Sequence, residues 1–252
     1  MKTTPLRYPF LALLLAGGIA VSSHAQILVD EDFSGGFGNW SAGNGTLDSE
    51  FGNPAGSVQH PGGAVSEWTA SSLSVNPMDS PFVLTADIYD SGAAGTNTVG
   101  FRTDATPLFE MGHYEHDHTA TGGGNDNYKV RIVNFANNDN WILLSGGTIE
   151  SGEGPVGWNR WQATFDSEGV TVTLDIGITG TIDYSYTSVG STPGPFTSLR
   201  IGGASDILTA NSSVHYDNIR LEIIPEPSTY AAIFGFLALA GALARRRLKS
   251  KA

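Results

Sequence analysis

The residues of this chain best equipped for chemistry are bunched together. His113, His116 and His118 lie in the stretch Met111-Gly112-His113-Tyr114-Glu115-His116-Asp117-His118, and they are three of the six histidines in the chain. On a strand, side chains alternate between faces, so His116 and His118 would share one face and His113 would take the other. A transition metal needs three or four convergent ligands. The run therefore reads as part of a metal site completed from elsewhere, as a polar strand end, or as a pH-responsive surface. Carboxylates are plentiful, but no local string arranges them for catalysis. Retaining glycoside hydrolysis needs two of them about 5 Å apart. Glu110 and Glu115 have an odd separation and would face opposite sides of a strand. Glu-x-Asp-x-x-Glu, Gly-x-Ser-x-Gly and His-Glu-x-x-His strings are all absent. Gly122-Gly123-Gly124 lacks the lysine and helix of a phosphate loop. No catalytic residue is assigned, and the domain reads as a non-enzyme. Five tryptophans could stack on sugar rings: Trp40, Trp68, Trp141, Trp158 and Trp161. Trp161 alternates with core positions, which leaves Trp141 and Trp158, near turns, as the glycan-binding candidates.

The elements that must position these residues are strands. Short alternating runs recur at 82–89, 98–102, 108–114, 128–134, 140–145, 158–166, 169–176, 181–186, 198–202 and 214–223. Gly, Pro, Asn or Asp bounds each one and supplies the backbone angles of tight turns. In Trp161-Gln162-Ala163-Thr164-Phe165 the odd positions are apolar. After Asp166-Ser167-Glu168-Gly169 the pattern repeats in Val170-Thr171-Val172-Thr173-Leu174, which predicts a hairpin with one buried face. Many short strands with regular turns predict an all-β, two-sheet antiparallel sandwich over residues 26–224. There are no cysteines, so disulfides and thiol chemistry are excluded.

The two ends read as addresses. Lys2 and Arg7 precede an apolar run at 10–21, and Ser22-Ser23-His24-Ala25 follows. This is the order of a secretory signal peptide over residues 1–25, cleaved between Ala25 and Gln26. At the other end, Pro225-Glu226-Pro227 ends the last strand, because proline lacks the donor a strand needs. Residues 228–244 are uncharged and mostly apolar, about 25 Å as a helix at ~1.5 Å per residue, close to a membrane span. Arginines and lysines then crowd positions 245–251, which keeps that end cytoplasmic and places the domain across the inner membrane. With both ends set aside, six basic residues face 24 acids, a net charge of −18. Such a domain repels nucleic acid and anionic membranes, attracts cations and tolerates neutral polysaccharide.

Taken together, Pro-Glu-Pro, the apolar segment and the basic cluster over residues 225–252 resemble the PEP-CTERM sorting signal. The resemblance implies an exosortase as partner, recognition at Pro225, Glu226 and Pro227, and delivery to the cell surface or beyond. The domain resembles concanavalin-A-like or laminin-G-like jelly rolls. Residues 29–36 with Trp40 match their first strand, and 214–221 their last. Further matching pieces are 99–102, 108–112, 128–131, 157–158 and 198–203. Several such jelly rolls hold a structural Ca2+ where the termini meet. That implies Ca2+ at Asp30, Glu31 or Asp32 with Asp217, although these acids could equally face water or cap turns. The implied function is a surface or matrix module associated with exopolysaccharide. The alternative is a glycoside hydrolase or lyase on the same fold.

Overall fold

In the computed structural model, residues 25–70, 73–91, 96–102, 108–114, 127–133, 136, 142–144, 156–191, 194–203, 210–225 and 235–241 are described. The chain divides into two compact units, Ala25–Ile224 and a second made of residues 1–24 with 225–252. In the second unit, residues 235–241 are helical and exposed. No helix among the described residues is long and apolar enough to cross a membrane.

The larger unit is built from strands: β1 (Gln26–Glu31), β2 (Thr46–Gly52), β3 (Ala55–Gly62), β4 (Ser66–Glu67), β5 (Phe82–Asp90), β6 (Asn97–Arg102), β7 (Leu108–Tyr114), β8 (Asn127–Val133), β9 (Ile142–Leu143), β10 (Gly157–Asp166), β11 (Gly169–Ile176), β12 (Tyr184–Val189), β13 (Leu199–Gly202) and β14 (Ala210–Ile223). An eight-stranded sheet runs β12-β11-β10-β5-β14-β3-β2, with β1 also paired to β14. A six-stranded sheet runs β4-β13-β6-β7-β8-β9. Every pairing among the described strands is antiparallel, so the architecture is a two-sheet antiparallel sandwich.

Period-two patterning explains which faces meet. Trp161, Ala163 and Phe165 of β10 and Val170, Val172 and Leu174 of β11 are buried between the sheets. The expected hairpin joins these strands: Asp166 pairs with Gly169, and the Asp166 carboxylate accepts the N–H groups of Glu168 (2.8 Å) and Gly169 (3.0 Å). Phe82, Phe101, Phe109, Phe165 and Phe196 interlock at the centre, with Phe82 and Phe165 stacked at 4.6 Å.

Two features depart from the sequence expectation. Strand β12 begins at Tyr184 rather than 181, because Asp175 and Asp183 first close a loop. Asp175 accepts the N–H groups of Thr179 and Gly180 (2.8 Å each), and Asp183 accepts that of Ile176 (2.7 Å). Strands β2 and β3 were not anticipated, since they mix Gly, Pro, Asp and His with few apolar residues. They form a hairpin whose tip reaches β14. Strand β14 pairs with β3 along its first half and β1 along its second, and its register on β5 shifts between Asp217 and Arg220. Asn218 sits in this irregularity at φ 48°, a left-handed conformation that asparagine tolerates.

Candidate functional site

The outer face of the eight-stranded sheet gathers its functional groups in rows. Trp158 of β10 lies opposite Tyr89 of β5, which lies opposite His215 of β14. Phe51, at the end of β2, folds over this row. It stacks on Trp158 (5.6 Å, 26° between planes) and meets Tyr89 edge-on (4.8 Å) and His215 at 4.4 Å. All four rings are half-buried. His215 is held by Ser57, whose hydroxyl lies 2.9 Å from Nδ1 and donates to the Phe51 carbonyl (2.6 Å).

Two residues along the same strands lies a row of charge: Arg160 opposite Asp87, and Asp87 opposite Asp217. Asp87 is wholly buried and accepts a bidentate pair from Arg160, at 2.7 Å from Nε and 2.8 Å from Nη2. Asn218 Nδ2 donates to it as well, at 2.9 Å. Asp217, also buried, accepts the backbone N–H groups of Asn53 (2.5 Å) and Asn218 (2.7 Å). Asn218 Nδ2 donates back to the Asn53 carbonyl, so the β2–β3 tip is latched to the β14 irregularity. Burial raises the Asp217 pKa to about 6 against the pull of those two N–H donors, and the nearby Asp87 and Asp32 push the same way.

Beside this row opens a cleft of about 500 Å³ lined by Asp30, Glu31, Asp32, Asn53, Thr85, Arg160, Asn218 and Arg220. The chain termini of the domain do converge here, as the jelly-roll resemblance implied. Glu31 turns back to accept the Phe33 N–H (3.1 Å), and Asp32 is used by Ser34 (3.0 Å from N, 2.7 Å from Oγ). Asp30 is exposed and lies 4.0 Å from Arg220. Two guanidinium groups share the lining with these acids. Among the described residues no three His, Asp or Glu side chains group as metal ligands. Glu31, Asp32 and Asp217 are engaged by backbone N–H groups of the protein itself.

His113 does not belong to a surface cluster. It faces the core against Tyr128 (5.1 Å), and its Nε2 has no hydrogen-bond partner. Burial holds its imidazole below the usual range. His116, His118 and Trp141 lie outside the described residues, as do Glu226 and Pro227. Ala25 is exposed and Gln26 opens β1, which pairs it with Ile223 of β14. Trp161 is fully buried, and Trp40 packs edge-on against Trp68 (5.6 Å).

Sequence reasoning missed a second set of charges, on the outer face of the six-stranded sheet. Glu67, Arg200, Gly100, Glu110 and Arg131 line up across β4, β13, β6, β7 and β8. These residues are far apart in the chain, and only the strand order brings them into one row.

No protein-family model matches this chain, and no curated protein matches it. Solved structures do. Domain 4 of AbnA, a GH43 extracellular arabinanase from Geobacillus stearothermophilus solved with arabinotriose, superposes with a TM-score of 0.50 at 14% identity, covering 80% of this chain and 95% of that one. The alginate lyase vAL-1 from Chlorella virus gives 0.46 at 7% identity, covering 79% and 100%. The Ca2+-bound VIP36 exoplasmic/lumenal domain gives 0.46 at 11% identity, covering 81% and 93%. The likeness to the arabinanase domain is one of fold.

Proposed function

We propose that the domain is a glycan-binding module, exported and sorted to the cell surface, whose ligand lies along the outer face of the eight-stranded sheet. The observation that carries this reading is the partly exposed Trp158 row on the same sheet face as a polar cleft. Aromatic rings offer stacking surface to the C–H faces of sugars, and the adjoining Asn53, Asn218, Asp32 and Thr85 offer donors and acceptors to hydroxyls. The cleft favours neutral sugars. Its three acids outnumber its two arginines, and Arg160 is already neutralised by Asp87. The arabinotriose in the complex of the arabinanase domain is a carbohydrate on the same fold, which agrees with this choice. A hydrolase or lyase centred on Asp87 and Asp217 is disfavoured, because both carboxylates are fully buried and committed to Arg160, Asn53 and Asn218.

Delivery is assigned to the two ends: a signal peptide over residues 1–25 and an exosortase-recognised segment at Pro225-Glu226-Pro227. Affinity electrophoresis in gels of neutral and acidic polysaccharides tests the binding reading. The expected result is retardation by a neutral polymer that Trp158→Ala abolishes without lowering the melting temperature by more than a few degrees. Retardation unchanged in Trp158→Ala would remove this face from consideration. Intact-mass analysis of the chain extracted from cells, with and without Glu226→Ala, tests the sorting reading; a wild-type chain that keeps residues 228–252 in the mature protein counts against it.

A further inference from the structure

Resting on the glycan-binding reading of the Trp158 face, we propose that His215 is its specificity residue: Ser57 fixes the ring so that a bare Nε2 accepts one hydroxyl of the sugar, and a proton on that nitrogen switches binding off. The tautomer follows from counting hydrogens. A serine hydroxyl has a single proton to give. Ser57 Oγ lies 2.6 Å from the Phe51 carbonyl oxygen, which can only accept, so the serine proton is spent there. Toward His215 the Ser57 oxygen is left as an acceptor. At 2.9 Å the contact is a hydrogen bond only if Nδ1 carries the proton of the ring. In a neutral imidazole the other nitrogen is then unprotonated, with its lone pair unused.

That nitrogen is open. The Nε2 atoms of His60 and His113 are shut in the interior without a partner; His215 Nε2 is not shut in, and no described residue bonds it. Its surroundings hold the ring still. Phe51 packs on it at 4.4 Å, and Tyr89 meets it edge-on at 6.2 Å. Phe51 is placed in turn by Asp48, whose carboxylate accepts the N–H groups of Glu50 (3.0 Å) and Phe51 (3.1 Å). One residue, Phe51, thus covers the imidazole with its side chain and sets its tautomer with its carbonyl. A phenyl ring at 215 would pack against the same neighbours; what the imidazole adds is the acceptor. Trp158 stands two strands away, about 10 Å across the sheet, so a sugar chain lying on the aromatic row reaches both. Stacking on an aromatic face leaves a sugar free to turn about the stacking axis, and one directional acceptor beside it fixes that turn.

The ring is kept neutral. Burial holds its pKa below the usual value, while Asp48 pulls the other way. Its neighbours in register are uncharged, Gln59 of β3 on one side and Tyr89 of β5 on the other. Asp217, Asp87 and Arg160 stand one row along the sheet. At neutral pH the bare Nε2 is therefore present. As the pH falls through the pKa of the ring, Nε2 gains a proton, becomes a donor and can no longer accept. Binding that is full above that pKa is lost below it.

The test uses the full chain in a mild non-ionic detergent and has two arms. Long-range 1H–15N correlation at pH 7.5 reads the tautomer without any ligand, the His215 signals being those missing from His215→Phe. The expected result is a protonated Nδ1 and a bare Nε2, a pattern that Ser57→Ala disperses into both tautomers. A protonated Nε2 in the wild type overturns the proposal. The second arm measures affinity by retardation in gels of arabinan, dextran and galactomannan at pH 7.5 and pH 5. Against whichever polymer binds, His215→Phe should lose about tenfold in affinity, the worth of one hydrogen bond. His215→Gln, whose amide oxygen accepts, should recover part of it. The wild type should weaken by a similar factor at pH 5, and His215→Gln should not. Affinity unchanged in a folded His215→Phe, or a parallel pH response in wild type and His215→Gln, overturns the role of His215, while a loss of binding in Trp158→Ala keeps the glycan reading. If none of the polymers retards the wild type, the glycan reading falls and the assignment of His215 falls with it.

Discussion

Asp217→Asn should change how stability depends on pH, because two buried groups oppose one another below neutrality. His60 lies wholly in the core, its ring packed on Gly202, and burial lowers its pKa from 6.5 to about 4. The folded state therefore resists a proton that the unfolded state accepts. Stability from this group is full above pH 6.5 and is lost as the pH falls toward 4. Linkage puts the loss between pH 7 and pH 4 at about 3 kcal/mol. Asp217 works in the opposite sense. Its pKa rises from 3.8 to about 6, so the folded state binds the proton first and gains stability as the pH falls through 6 toward 4. That gain, over the same interval, is about 2 kcal/mol. The wild type should thus show a shallow acid limb from this pair. An asparagine at 217 cannot titrate, so the variant should lose about 2 kcal/mol more than wild type between pH 7 and pH 4. Urea unfolding followed by tryptophan fluorescence at half-unit pH steps reads this directly, since Trp161 is buried in the core. Parallel profiles for the two proteins would refute the reasoning, because they would mean that Asp217 titrates alike in both states.

Substitutions at Trp161, Trp158, Arg160 and Gly100 probe other parts of the fold. Trp161→Ala should cost about 3–5 kcal/mol in urea unfolding, as a fully buried tryptophan leaves a cavity, whereas Trp158→Ala should cost less than half as much. Arg160→Ala strips a bidentate partner from the buried Asp87 and should cost about 2–3 kcal/mol, with Arg160→Lys recovering only part of it, since an ammonium cannot reproduce the fork. Gly100→Ala drives a methyl group into the Phe109 carbonyl and should destabilise the domain by about 3 kcal/mol. A melting temperature within two degrees of wild type would show that β6 and β7 can separate locally at no cost.

How much was legible in advance varies with the kind of residue. Strands β10 and β11 were readable because one face meets the core and the other is partly open to water, which writes a period-two code into residues such as Trp161, Ala163 and Phe165. Strands β2 and β3 were not. Much of their pairing is sustained by polar contacts such as Asn53 to Asp217 and Ser57 to the Phe51 carbonyl, which leave no hydrophobic period behind. Trp158 was readable as a candidate platform from its place beside a turn. Its partners were not, because Tyr89, His215 and Phe51 come from three other strands.

Composition and local pattern were enough for the strand content, the absence of disulfides, the −18 charge of residues 26–224, and the signals expected at both ends. These depend on neighbours in the chain. Which residues face one another came from the folded arrangement. It turned His113 into the core, set Asp217 against the tip of the β2–β3 hairpin, and lined up Glu67, Arg200, Glu110 and Arg131 from four separate strands. In an antiparallel sandwich, strand order and register set these neighbourhoods, and both arise from long-range pairing that no local pattern encodes.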